Sequence, residues 1–545
     1  MAIMQSKKTS VVVLASLMLV KFPAYADLKI TPSLTSNVYA YGVKNHSPYT
    51  DKGIAYEINP GFDLSIAGNW LSTSLNVNNQ NLVFDDAQRD NENYFQYNWQ
   101  GQASFLNDAL SLQVGASQDH KSASQNESRY LDEISSSDEL ARTESQSAGL
   151  SFNHDRLDWA KLDLNISATR SATNKYAAVY EALADTQTGL ENTQIAANLG
   201  LDSGDRNSKF FWGFVGQASK IDRDVLQSQY NRRLQGVLGA PFFWRVAMIA
   251  TGSLESNSEL EGSESVFSQY RNRHTVGGGL EWKISDKSWW NITYNKDNDA
   301  KKDAEYIGTQ FELAPSKRTS LSGSIDRRFF GRTARIKGDY KLRHLRMALN
   351  VSDTVGSVLG FGGNGQEGSL FVCPPGVTPG LDSCFQPPTV SYIPAQGEQY
   401  YNIADPNSDL NEFVVVRREV SYQIGYDFNR LKLSASIGQR KDQLVEQRSL
   451  NNNQFVNVIA NWQLNARNSV SITANYSKQK LVLAGLEDGA GGLSGISRSA
   501  SLTYNRNINQ AVSANFNLKR INSDYGVSSR DYQENRAWVG IEYKF

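Results

Sequence analysis

Long apolar runs are almost absent from this 545-residue chain, and the one that exists, Val11 to Val20, is too short to span a bilayer as a helix, which takes about 20 residues. It follows Lys7 and Lys8 and precedes Ala24-Tyr25-Ala26. That is the order of charge, apolar core and small-residue cleavage site expected of an export signal. Residues 1–26 are therefore expected to be a signal peptide, and 27–545 to carry no transmembrane helix. Cysteine is scarce too: two residues exclude a disulfide-stapled scaffold, and 13 prolines exclude a collagen-like chain. Net charge is missing as well, with 55 Lys and Arg against 56 Asp and Glu, and there is no basic tail, zinc-ligand spacing or aromatic-basic motif. Nucleic acid is not an expected partner. The five histidines, His46, His120, His154, His274 and His344, are scattered without a Ser-His-Asp or metal-binding set. No catalytic residue, metal or cofactor is expected.

What the chain does have is alternation. Ile54, Tyr56, Ile58, Pro60, Phe62, Leu64 and Ile66 share one face of an extended strand, and Ala55, Glu57, Asn59, Asp63 and Ser65 share the other. The last ten residues repeat the pattern, with Ala537, Val539, Ile541, Tyr543 and Phe545 opposite Arg536, Trp538, Gly540, Glu542 and Lys544. One side suits lipid and the other water. Runs of this kind recur from Asp27 onward, separated alternately by tight polar turns and longer polar loops. Helical spacing fits no long segment, and a propeller or sandwich would not need connections that alternate short and long.

Eleven short turns and twelve long loops imply 24 strands, with 22 to 26 as the range; the turns include 239–242, and the long loops 327–332 and 353–411. The even number, with both ends on the short-turn side, predicts an all-β, antiparallel up-and-down transmembrane barrel in the bacterial outer membrane, surrounded by lipid. Such a barrel can be hydrophilic on average, here 20% charged, because only alternate residues meet lipid. Closure is expected through the segment Ile30 to Ala40 against the C-terminal strand. Tyr543 and Phe545 resemble the aromatic ending by which barrel-assembly machinery recognises its clients.

Two features stand out from the alternation. Arg327, Arg328, Arg332, Arg335, Lys337, Lys341, Arg343 and Arg346 stand against only Asp326 and Asp339. Alternation sends Arg335, Lys337 and Lys341 into the lumen, with Arg346 and then Arg417 and Glu419 on the following strands. Such a basic ladder biases a pore towards anions; the alternative is a wall whose cations are paired with acids elsewhere. The second feature is Cys373 and Cys384, with ten residues between them inside one Pro/Gly-rich loop, expected to form a local disulfide in an exported chain. That loop either constricts the mouth or decorates the surface.

Ile30-Thr-Pro-Ser-Leu-Thr-Ser36, Tyr56-Glu-Ile-Asn-Pro-Gly-Phe-Asp-Leu-Ser65, Leu75-Asn-Val77 and Asn81-Leu-Val-Phe84 resemble the PEP-CTERM/exosortase-associated outer-membrane β-barrel proteins. The resemblance implies a barrel serving surface exopolysaccharide, working with a periplasmic export protein, and it supplies no catalytic residues. Two roles follow as expectations. One is a wide channel for polysaccharide or another large polar substrate, with strands beginning too near the cleavage site to leave room for a plug. The other is a non-conducting structural or adhesive barrel that anchors glycan or sorted proteins.

Overall fold

The computed structural model describes residues 27–545 except 46–49, 69, 87–88, 108, 123–132, 135–139, 158–159, 175–189, 204–209, 225–227, 259–271, 300–303, 329, 358–369, 374–398, 403–413, 445–449, 483–491 and 525–530. The expected signal peptide, residues 1–26, lies outside the described residues, and β1 (Asp27–Asn45) begins immediately after it.

Strands are numbered in chain order. Twenty-four of them form one antiparallel sheet in which each strand pairs with its sequence neighbours, β17 (Leu345–Ser357) being followed by β20 (Val414–Asp427). Between these two, β18 (Leu370–Cys373) and β19 (Gln399–Asn402) form a separate small hairpin. The ring closes where β1 pairs with β26 (Tyr532–Lys544), in a register from Ser33 opposite Lys544 to Asn45 opposite Tyr532. A spanning sheet must close in this way, because each backbone group left unpaired in hydrocarbon costs several kcal/mol.

The two faces behave as the alternation requires. On β2 (Thr50–Ala67), Ile54, Tyr56, Ile58 and Phe62 are exposed on the outside, while Ala55, Glu57 and Asn59 are buried on the inside. On β26, Val539, Ile541 and Tyr543 lie outward with Phe545 beyond them, and Glu534 and Arg536 are buried inward. Tyr543 and Phe545 stack edge to face at 4.5 Å, and the Phe545 amide donates to the Pro32 carbonyl at 3.0 Å. An apolar outer belt on a closed ring of 24 strands defines a protein of the bacterial outer membrane.

Two local expectations are corrected, and the strand lengths add a third observation. The barrel strands run from 10 residues in β15 (Thr319–Arg328) to 19 in β1, most of them longer than the roughly 9 to 11 that cross the bilayer, because hairpin pairing continues past the hydrocarbon. Segment 327–332 is no long loop: Arg328 pairs with Gly331, the first residue of β16 (Gly331–Lys341), and the φ of +112° at Gly331 suits a residue without a Cβ. The turn placed at 239–242 falls later. β10 (Gln229–Phe243) passes through Pro241 with a bulge, and the reversal occurs at Trp244 (φ +49°) before β11 (Val246–Asn257).

The outer and inner faces should tolerate charge very differently at adjacent positions of β23 (Asn468–Val482). Ile472→Arg, on the outer face, should lower the unfolding free energy by about 2–4 kcal/mol, and Ser471→Arg, on the inner face, by less than about 1 kcal/mol, measured by guanidinium unfolding from matched bilayers.

Candidate functional site: the lumen

At about 4.8 Å between strands and a tilt near 40°, a round ring of 24 strands would be roughly 45–50 Å across its backbone. The inner wall, not the ring alone, decides how much of that space is open. Along β26, inward-facing Tyr532, Glu534 and Arg536 are buried at the long-connection end, whereas the Glu542 and Lys544 side chains remain 27% and 43% exposed at the short-turn end. β25 (Val512–Asp524) follows the same trend, with Ile521 and Ser523 buried. In β7 (Ala160–Thr173), Thr169, Ser171 and Thr173 are buried, again towards the long connection. On these strands the inner wall is accessible at the short-turn end and enclosed at the other, whereas inward Phe211, Ala247, Ile249 and Glu281 are buried towards the short-turn end as well.

Beside the seam, that enclosed end carries a lining rich in aromatics. Tyr39, Tyr41 and Val43 of β1 pack with Leu82 and Phe84 of β3 (Leu71–Phe84), Tyr94 of β4 (Glu92–Phe105), Ile521, Tyr532 and the loop residue Ile134. Below it, the buried Glu57 carboxylate accepts hydrogen bonds from Asn37 at 3.0 Å and from Tyr39 and Asn59. Arg536 pairs with Glu534 and lies 5.9 Å over the Tyr39 ring, which stacks on Trp538 at 5.6 Å. These contacts join β26, β1 and β2 by side chains as well as by the backbone ladder.

A second network crosses the lumen. Arg233 of β10 donates to Asp326 of β15 at 2.6 Å, Gln235 donates to the same oxygen at 3.2 Å, and Tyr306 of β14 (Ala304–Ser316) donates to the other oxygen at 2.8 Å. Arg328 of β15 reaches Glu255 of β11 at 2.9 Å. In a round ring, strands five apart would stand about 30 Å from one another, much farther than an Arg and an Asp side chain can bridge. The wall from β10 to β15 is therefore folded inward into a lobe.

Glycine makes the fold of the wall possible. A Cβ at Gly279 of β12 (Asn272–Ser285) would lie 2.0 Å from the Ile292 carbonyl oxygen, and one at Gly277 would lie 2.0 Å from the Asn295 side-chain oxygen. With Gly277 bare, Asn295 of β13 (Ser288–Asp299) passes over β12 to accept from Thr251 of β11 at 3.1 Å. Near this corner lies a cavity of about 610 Å³ whose polar lining includes Gln235, Thr251, Asn291, Asn295, Tyr306 and Gln310.

The sequence-chosen cations divide according to this geometry. The register sends Arg335, Lys337 and Lys341 of β16 inward and sets Arg346 of β17 directly across from Lys341, while Arg327 and Arg332 face outward. Lys337 is exposed and lies opposite Ser322 and Asn350. Arg417 is on the same inner wall at the far, enclosed end, where it holds Asp442 of β21 (Leu431–Leu444) in a two-point contact of 2.8 and 2.9 Å. Its neighbour Glu419 pairs with Arg440 at 3.4 Å. Arg417 is therefore a structural ion pair set apart from the other four cations. Cys373 ends β18, and Cys384 lies outside the described residues, as does most of segment 353–411. The pairs Arg233–Asp326 and Arg328–Glu255 were not foreseen, because strand alternation gives the face of a residue but not the curvature that brings distant strands together. The run Gly277-Gly278-Gly279 inside a strand was the available signal.

No protein-family model and no curated protein matches the chain. Among solved structures it is similar to the siderophore receptor PirA from Acinetobacter baumannii (10% identity, 95% of this chain and 80% of that chain covered, TM-score 0.39). It is also similar to the FrpB iron transporter from Neisseria meningitidis (8%, 94% and 81%, 0.41) and to BauA, the ferric preacinetobactin receptor from Acinetobacter baumannii (8%, 95% and 81%, 0.41). At these values the likeness carries nothing about what this lumen admits.

If the network at Asp326 holds the lobe, Asp326→Asn should destabilise the barrel by about 3–5 kcal/mol by leaving Arg233 enclosed without its counter-charge. The double variant Arg233→Met/Asp326→Leu should recover most of that loss. Equilibrium unfolding of the three proteins provides the check.

Proposed function

We propose that this barrel is an outer-membrane channel for a large polar substrate, and that surface exopolysaccharide is the substrate class. The observation that carries the channel reading is a polar inner wall, accessible at the short-turn end along β7, β25 and β26, within a ring of 24 strands. The polysaccharide assignment starts from the sequence resemblance. Amide and hydroxyl side chains in the lobe cavity, with Tyr306 beside them, suit the hydroxyl-rich surface of a glycan. Lys337, Lys341 and Arg346 would favour anionic solutes at the short-turn end, where a periplasmic export protein would deliver cargo. Tyr543 and Phe545 would present the ending through which the assembly machinery inserts the barrel.

A second reading, a non-conducting barrel that anchors glycan or surface protein, is favoured by the enclosed inner wall at the long-connection end. Single-channel recording in planar bilayers separates the two. The channel reading expects steady openings, and Arg335→Glu/Lys337→Glu/Lys341→Glu should move the reversal potential in a salt gradient towards cation selectivity. A folded protein that stays closed at all voltages supports the anchor instead, and an unchanged reversal potential removes the basic residues from ion selection.

A further inference from the structure

The outer face of the barrel is uniform in hydropathy but not in charge. On β23 the outward residues Val470, Ile472, Ala474 and Tyr476 give way to Lys478 and Lys480. From Val470 to Lys478 the strand climbs roughly 20 Å along the barrel axis, at about 3.4 Å per residue and a tilt near 40°. These lysines therefore emerge at the margin of the apolar band on the long-connection side, the exterior side of a single-chain outer-membrane barrel.

The neighbouring strands repeat the placement. Arg418 of β20 pairs across from Lys441 of β21, and Arg498 of β24 (Gly492–Asn507) pairs across from Tyr476 on one side and Asn522 on the other, with Arg520 of β25 beside it. The stripe continues across the closing seam to Lys44 and Lys52. All eight are exposed, and none makes an ion pair with another described residue. Among the described residues the outward carboxylates at this level are Asp524, Asp531 beside it and, at the two ends of the stripe, Asp353 of β17 across from Arg418 and Asp85 just after β3, four against the eight cations.

A different quarter of the ring shows what balanced charge looks like at the same height. On β6 (Leu140–Leu157), β7, β8 (Leu190–Asp202) and β9 (Phe211–Arg223), outward Arg142 meets Glu144 at 3.4 Å, Arg170 meets Glu191 at 2.7 Å and Lys220 meets Asp222 at 2.8 Å. An unbalanced row of cations that continues the lipid-facing surface needs anions from the neighbouring medium, and at this depth the medium is the headgroup layer of the outer leaflet.

We propose that the outer face from β20 through β26 to β2 binds phosphorylated lipid of the outer leaflet. The acyl chains lie on the apolar rows beneath, and the phosphates lie against Lys478, Lys480, Arg498 and Arg520. This gives the barrel one lipid-selective side, and it does not depend on whether the lumen conducts.

Native mass spectrometry of the full folded barrel, incubated with bisphosphorylated lipid A or with the same lipid after removal of both phosphates, tests the proposal. Wild type should retain the phosphorylated lipid at least ten-fold more strongly. Lys478→Gln/Lys480→Gln/Arg498→Gln/Arg520→Gln should reduce retention to the dephosphorylated level, while Arg170→Gln/Lys220→Gln, in the balanced quarter, should leave it unchanged. Equal retention of the two lipids by wild type, or equal losses in the two variants, would overturn the assignment. If the four-site variant does not fold, the wild-type comparison of the two lipids decides alone.

Discussion

Backbone hydrogen bonding in a medium without water is the constraint from which the rest of this structure follows. A sheet that spans hydrocarbon must have no edge, so the first strand has to find the last, and here Val38 stands opposite Val539 and Ser36 opposite Ile541. The seam is reinforced on its inner side, where Glu57, Tyr39, Trp538, Arg536 and Glu534 form a linked set of hydrogen-bonded, stacked and ion-paired groups. On the outer side, hydrocarbon requires only apolar bulk, and the sequence supplies it at every second position. One residue can serve only one of these environments, so the chain spends its alternate positions on each.

Closure fixes the perimeter but not the cross-section. A ring of this size encloses more space than its side chains can fill, and the protein reduces that space by folding its own wall. The bare inner surface at Gly277 and Gly279 lets β12 and β13 turn sharply, and charged bridges from β10 and β11 to β15 hold the resulting lobe. The bridges are enclosed and multiply hydrogen-bonded, so they specify which strands approach each other more than they add stability. Away from the lobe, on β7, β25 and β26, the wall is open to water at the short-turn end and covered at the other, which gives that side of the lumen a direction as well as a size.

Most of the architecture was legible in the sequence because period-two alternation is local: each residue reports its own face. The outward row Ile54, Tyr56 and Ile58 and the inward row Ala55, Glu57 and Asn59 could be read without knowing any partner strand, and the strand number followed from counting. Composition misleads where local geometry decides the backbone path. Gly239 and Pro241 suggest a turn, yet Pro241 sits at a bulge near the strand end and the reversal is made by Trp244. The arginine-rich segment 327–332 looked like a loop, but Arg327 and Arg332 face each other across a tight hairpin. The role of Asp326 was invisible for a different reason: its partner Arg233 lies far away in sequence, and only the curvature of the wall brings them together.

Covalent trapping of the seam tests ring closure most directly. In a background with Cys373 and Cys384 replaced by serine, Val38→Cys/Val539→Cys should be joined in nearly every folded molecule by a thiol linker of about 5 Å, the Cβ spacing of facing residues. It should react as completely as the hairpin pair Leu518→Cys/Ala537→Cys, which faces across β25 and β26. A folded protein in which the hairpin pair is joined and the seam pair is not would mean that the first and last strands do not meet, and the barrel described here would be wrong.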